Sequence, residues 1–181
     1  MTKQQKVEQI AKCLMGGDLV VLKTDTIYGI LALASDEAAV EKLYKVRGRE
    51  PLKACIVLTL EDQLPYKNSD LIIANTDEDR PTSVVVPVDK EPLWVSRGGE
   101  TVAYRVVRGG VLVDVLAITG PVIAPSANPE GLPAANNIEE ARAYFKDGVA
   151  LYVDGGDVSG SQRASKIVKV LKSGEVELIR G

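Results

Sequence analysis

Histidine is absent from this sequence, which removes Ser-His-Asp and Cys-His nucleophile activation and every His-based metal site at once. Catalysis would have to run through carboxylates, lysine, arginine, hydroxyls or a bound cation. In KTDTIYG, Thr24 and Thr26 are two residues apart, so an extended backbone points both hydroxyls the same way, with Tyr28 continuing the row. Such a row can cradle a small polar ligand, and the same stretch can equally be a turn between two strands. In YKVRGREPLK, Lys45, Arg47, Arg49 and Lys53 crowd around a helix stop. They form either an anion site or a solvated helix end, where cations also suit the dipole. Arg105 and Arg108 make a second local cluster. In GPVIAPSANPEG the apolar run at 122–124 ends at Pro125, which cannot donate to a ladder, and Ser126 and Asn128 follow. Strand ends of open α/β sheets bind ligands there, although Pro, Ser, Asn and Gly are also ordinary loop residues. Ser126 lacks the glycines of a nucleophile elbow, so its chemistry is holding a ligand rather than attacking a carbonyl. Neither GxxxxGK[ST] nor GxGxxG occurs, which argues against a P-loop or Rossmann nucleotide site.

The frame that must position these groups is readable from composition and periodicity. With 181 residues and 45% hydrophobic content, the chain is expected to be one domain over 1–181 with a sizeable core. No stretch approaches the roughly 18 to 20 apolar residues of a membrane span, and the N-terminus lacks the pattern of a signal peptide. Cys13 and Cys55 form neither a disulfide framework nor a CxxC site. A cytoplasmic protein with no membrane association is expected. A net charge of −3 gives no globally basic nucleic-acid surface.

Val7, Ile10, Ala11 and Leu14 recur at helical spacing and Gly16-Gly17 supplies a stop. Strands are expected at 19–22, 30–34, 54–60, 83–88, 101–107, 122–124 and 150–154. A second helix starts near Ser35-Asp36-Glu37 and ends at Gly48, and a third opens on Asn137 with Glu140 as a capping box. The acidic stretch 61–80 is patternless and reads as a short helix or loop. GGDVSGSQRASKIV begins as a Gly- and Ser-rich loop, and SKIVKVLKSGEVELIR alternates on both sides of Ser173-Gly174 as a β-hairpin.

The order of the motifs is more specific than any one of them. TDTIYG, VRGRE with Lys53 close behind, TVAYR, PSANPEG, SKIV and a terminal LIRG together resemble the YrdC-like threonylcarbamoyl-adenylate synthases, from about Leu19 to Gly181. The corresponding family pattern is PTDTVYGL, KxR within KGRP, TVAxR, SxN within SANxSG, STIV and LRxG. The resemblance implies an α/β fold: a twisted, mostly open mixed sheet with flanking helices and a large concave basic cavity. It implies L-threonylcarbamoyladenylate synthase activity, a nucleotidyl transfer that condenses L-threonine, bicarbonate and ATP, with Mg2+, to threonylcarbamoyl-AMP and pyrophosphate for threonylcarbamoyl-adenosine modification of tRNA. By the same resemblance Arg47, Arg49, Ser126 and Asn128 are the catalytic group, and these with Thr101 and Arg180 contact ATP. Thr24, Thr26, Tyr28, Lys53, Arg105 and Ser165 are expected around L-threonine and its carbamate. Partners implied are downstream tRNA-modifying transferase proteins and a weak tRNA contact.

Adenylation suits such a set, because in-line alignment at the α-phosphorus and positive charge on the phosphates need no covalent bond to the protein. Arg105 is a natural bidentate clamp for an amino-acid carboxylate. The sequence departs from the family pattern at several points: Lys23 precedes TDT in place of proline, Arg47 takes the lysine position of KxR, and Glu50 replaces proline. Pro129-Glu130 changes the SANxSG interior, Ser83 stands in the threonine position of an eroded GPxT segment, and Lys166 replaces the threonine of STIV. Two other functions compete with synthesis. One is a non-catalytic tRNA or double-stranded RNA binder of the same fold, which the acidic net charge disfavours. The other is a carbamoyl-transfer relative of metal-centre maturation.

Overall fold

The computed structural model of the chain describes residues 2–158, 160 and 164–181. Nine strands, β1 (Val20–Lys23), β2 (Tyr28–Leu33), β3 (Ile56–Thr59), β4 (Thr82–Pro87), β5 (Thr101–Val106), β6 (Val122–Ile123), β7 (Leu151–Val153), β8 (Lys166–Val170) and β9 (Val176–Arg180), form one mixed sheet in the order β7-β1-β2-β6-β3-β5-β4-β8-β9. Parallel pairing joins β1 to β7, β3 to β5 and β4 to β8, and the remaining neighbours are antiparallel. The helices are α1 (Lys3–Met15), α2 (Glu37–Arg47), α3 (Ser69–Ala74), α4 (Leu93–Ser96), α5 (Val111–Thr119) and α6 (Ile138–Phe145). Among the described residues, no helix is long and apolar enough to cross a membrane.

Side-chain caps open α1, α2 and α6. Thr2 Oγ1 accepts from Gln5 N–H while Gln5 Oε1 accepts from Thr2 N–H, a reciprocal capping box that opens α1. Asp36 accepts from Ala39 N–H at 3.1 Å to start α2, and Gly48, at φ 59°, ends it in the left-handed region where a Cβ would be strained. The expected box at α6 is half formed. Asn137 Oδ1 accepts from Glu140 N–H at 2.9 Å, but the Glu140 carboxylate turns back to Asn136 N–H at 2.8 Å. In the 61–80 stretch a single turn at Glu61–Gln63 precedes the short α3. Of the loop read from GGDVSGSQRASKIV, Ser159 and residues 161–163 lie outside the described residues.

Alternation along each strand divides the core in two. Tyr28, Ile30 and Ala32 of β2, Val84 and Val86 of β4, Val102, Tyr104 and Val106 of β5, and Val168 and Val170 of β8 form one layer with buried side chains of α2, α3, α4 and α6. On the opposite face Val20 and Leu22 of β1, Leu31 of β2, Leu58 of β3 and Val122 of β6 meet Ile10 and Leu14 of α1 and Leu112, Val115 and Leu116 of α5. Those side chains are almost fully buried, so truncating one such as Leu116 to alanine should cost about 2–5 kcal/mol. No described residue of β4, β8 or β9 joins this second layer. The face carrying α1 and α5 is therefore roofed over one half of the sheet and bare over the other.

Candidate functional site

The bare half of that face is the floor of a cavity of about 570 Å³. Ile56 on β3, Ala103 on β5 and Val85 on β4 are register partners across three adjacent strands, and all three line it. Arg105, two residues beyond Ala103, points the same way by the strand period. Ile167 on β8 and its partner Arg180 on β9 extend the lining at the far side. Opposite them stand the β1–β2 connection, the α2–β3 connection and the segment after β6.

The β1–β2 connection is a turn rather than an extended row. Thr24 N–H donates to Ile27 O at 3.1 Å, and Thr24 Oγ1 donates to the same carbonyl at 2.8 Å. The two threonine hydroxyls still converge, 3.0 Å apart, because Thr26 N–H also donates to Thr24 Oγ1. Gly29 fits closely beside them: a Cβ there would lie 3.1 Å from Thr24 Cγ2 and 3.3 Å from Pro125 O, so those neighbours would have to give by a few tenths of an ångström. Tyr28 already belongs to β2 and is among the residues lining the cavity. Its hydroxyl donates to Gly156 O at 2.9 Å and accepts from Gly155 N–H at 3.0 Å, and burial pushes its pKa up, so it pins the 154–156 turn as a neutral phenol.

Arg105 is 4% exposed, with Nη2 3.1 Å from Asp25 Oδ1. Its Nε has no hydrogen-bond partner among the described residues. Burial pushes this guanidinium below its ordinary pKa, Asp25 opposes the fall, and Arg180 adds to it. Arg180 itself donates through Nε to Ser165 O at 2.9 Å and through Nη2 to Ser165 Oγ at 3.3 Å, and Ser165 Oγ lies 2.9 Å from Ser83 Oγ. Ser83, standing in the position the family gives to threonine, thus keeps a hydroxyl against Ser165.

On the other side, Arg49 donates to Lys53 O and to Ala54 O, each at 3.0 Å. Ser126 follows β6 in a lone bridge to Gly29. Asn128 gives its amide hydrogens to Pro129 O at 3.0 Å and Leu132 O at 2.7 Å, which leaves Oδ1 buried and without a partner among the described residues. Cys55 also lines the cavity, but burial raises its thiol pKa, so it is not an activated nucleophile.

Ten of the twelve site residues expected from sequence line this one cavity: Thr24, Thr26, Tyr28, Arg49, Lys53, Arg105, Ser126, Asn128, Ser165 and Arg180. Arg47 and Thr101 do not. Arg47 shares the buried stripe of α2 with Leu43 and Tyr44, and its Nε donates to Asn128 O at 2.7 Å, so it ties the α2 end to the SAN segment. Thr101 lies on the same face as Ala103 but at the strand start, paired with Pro87 and outside the lining. Sequence reasoning passed over Asp25 as a site residue, although it stands between the two threonines. Glu130 entered only as a departure from the family pattern, yet it reaches Arg49 at 3.3 Å and Lys53 at 3.2 Å. Among the described residues no group of three or more Cys, Asp or Glu side chains could hold a metal.

A mixed sheet with helices on both faces, with a cavity lined by hydroxyls, amides and guanidiniums over its open half, is an α/β fold of the YrdC-like kind. The sequence profile of Sua5, YciO and YrdC, described as "Telomere recombination", matches residues 12–181, and the chain belongs to that family. It is 28% identical over 179 residues to the Threonylcarbamoyl-AMP synthase of Stutzerimonas stutzeri, covering 94% of this chain and 95% of that one. The solved structure of Pyrococcus abyssi Sua5 complexed with L-threonine superposes with a TM-score of 0.83 at 24% identity, covering 99% of this chain and 54% of Sua5. MTH1692 from Methanobacterium thermoautotrophicum superposes with a TM-score of 0.70 at 28% identity, covering 96% of this chain and 85% of that one.

Proposed function

We propose that this chain is an L-threonylcarbamoyladenylate synthase. In the reaction proposed, the threonine amine and bicarbonate combine with loss of water to a carbamate. A carbamate oxygen then bonds to the α-phosphorus of ATP while the bond to the β-phosphoryl group breaks and pyrophosphate leaves. The observation that carries this reading is that Arg49, Lys53, Arg105, Ser126, Asn128 and Arg180, from segments far apart in the chain, line one cavity, and that Arg105 Nε and Asn128 Oδ1 are left without a hydrogen-bond partner among the described residues. A buried guanidinium N–H without a partner is suited to an incoming carboxylate, and a buried amide oxygen to a hydrogen-bond donor of a nucleotide. Arg105 with Thr24 and Thr26 is assigned to threonine, and Arg49, Lys53, Ser126, Asn128 and Arg180 to ATP. Ser165 and Ser83 position Arg180, Tyr28 positions the 154–156 turn, and Arg47 positions Asn128.

The relatives named Threonylcarbamoyl-AMP synthase support the same assignment. Magnesium would enter as a counter-ion carried in on the ATP phosphates. A cytoplasmic location, hand-over of the adenylate to tRNA-modifying transferases and a weak tRNA contact belong to the same proposal.

The test is incubation of the folded protein with ATP, magnesium, labelled bicarbonate and L-threonine. Threonine-dependent release of pyrophosphate together with a labelled adenylate is expected. Folded protein that gives neither product overturns the reading, and salt-dependent RNA binding in its place would indicate the binder.

A further inference from the structure

The cation cluster at the mouth of the cavity already has an anion, and that anion is part of the chain. Glu130 N–H donates to Arg47 O at 2.9 Å, which fixes this backbone against the end of α2. From there Oε2 reaches Arg49 Nη1 at 3.3 Å and Oε1 reaches Lys53 Nζ at 3.2 Å. Arg47 Nη1, buried and without a hydrogen-bond partner among the described residues, is 3.9 Å from Oε2. Glu130 does not itself line the cavity, whereas Arg49 and Lys53 do. A third of its side chain is exposed, so it can turn to water when its partners are taken.

We propose that Glu130 is a specificity-determining residue of this site: its carboxylate is a built-in counter-ion to Arg49 and Lys53 that the phosphates of a ligand must share or displace, and it weakens the hold on polyphosphate. The inference rests on reading the cavity as a nucleotide site. Two anions competing for the same cations lower each other's apparent affinity, and the penalty grows with the charge of the incoming group. A chain with a neutral side chain here would grip pyrophosphate and triphosphate more tightly and let pyrophosphate go more slowly.

The experiment measures binding of inorganic phosphate, pyrophosphate and tripolyphosphate by calorimetry at low salt, with no threonine and no turnover. Glu130→Gln keeps the shape and removes the charge. Two partly exposed pairs of modest strength predict pyrophosphate binding about fivefold tighter than wild type. The gain is expected to be larger for tripolyphosphate, smaller for monophosphate, and to shrink as salt is raised. Glu8→Gln on the exposed side of α1 carries the same charge change and is expected to alter nothing. Glu130→Ser gives a second neutral side chain should the glutamine variant fail to fold, and Glu130→Asp is expected to stay close to wild type.

Unchanged or weaker pyrophosphate binding in the folded neutral variants overturns the proposal, because Glu130 would then be organising the cations rather than competing for them. So does a wild-type and variant pair that bind no pyrophosphate at all. The synthase reading fails separately, on the absence of threonine-dependent turnover in the wild type.

Discussion

Arg105 Nη2 and Asp25 Oδ1 lie 3.1 Å apart within the cavity wall, with the guanidinium side chain 5% exposed and the carboxylate 17%. A buried cation is tolerable only with such a partner, and the single carboxylate leaves Nε unanswered. The site is thus poised for one more negative group.

Arg105→Lys keeps the charge and gives up the fork, which is not a conservative exchange at a bidentate site. The KM for threonine is expected to rise about tenfold or more while the KM for ATP changes little, read from steady-state kinetics varying each substrate in turn. Equal changes in both would remove Arg105 from the threonine side.

Arg47→Lys tests whether that residue acts through Asn128. The bond from Arg47 Nε to Asn128 O at 2.7 Å would be lost, with an expected cost of about 1–3 kcal/mol in stability. Thermal melting and the KM for ATP should both move. A fall in kcat with normal melting and an unaltered KM for ATP would place Arg47 at the chemistry instead.

Most strands and the capped helices were legible in the sequence because their signals are local. Asp36 and Gly48 bracket α2 with side-chain and backbone chemistry that any reader of the chain can see. The helix α5 was not legible: Gly110 offers no capping side chain, and Val111, Val113, Val115 and Ile118 are β-branched and apolar on every side. Packing against α1 and the sheet holds that run helical. The helical phase of Arg47, four residues after Leu43 and three after Tyr44, already put it on the buried stripe, and that signal was outweighed by the motif. The partners of Asp25 and Glu130 come from segments far away in the chain, so no spacing rule could reach them.

Tyr28→Phe removes the donor to Gly156 O and the acceptor for Gly155 N–H. A loss of about 1–2 kcal/mol, or several degrees in Tm, is expected by calorimetry. No change in melting would mean that the 154–156 turn holds itself.

At Gly155, a Cβ would approach Lys23 Cβ to 2.7 Å. Gly155→Ala should therefore cost about 1–3 kcal/mol, since a backbone-attached carbon cannot swing aside as a side-chain tip does. Chemical denaturation of the two proteins side by side measures this directly, and equal midpoints would refute the steric account.

Glu130 also predicts a pH dependence. Hydrogen bonding from Lys53 first, then the charges of Arg49, Lys53 and Arg47, hold its carboxyl below the usual value. Its folded pKa is thus depressed, so its contribution to stability is present above the ordinary Glu range and is lost as pH falls through the lowered value. Any melting difference between wild type and Glu130→Gln at neutral pH should narrow as pH falls below the ordinary carboxylate range. A gap that persists in acid would assign it to packing.

The roof of α1 and α5 stops partway across the sheet, and the strands beyond it present Ile56, Ala103 and Val85 to whatever enters. A ligand bound there would take the place of a missing tier of the architecture. Occupancy and rigidity then become one variable, and the melting curve doubles as a binding assay, rising with the logarithm of ligand concentration.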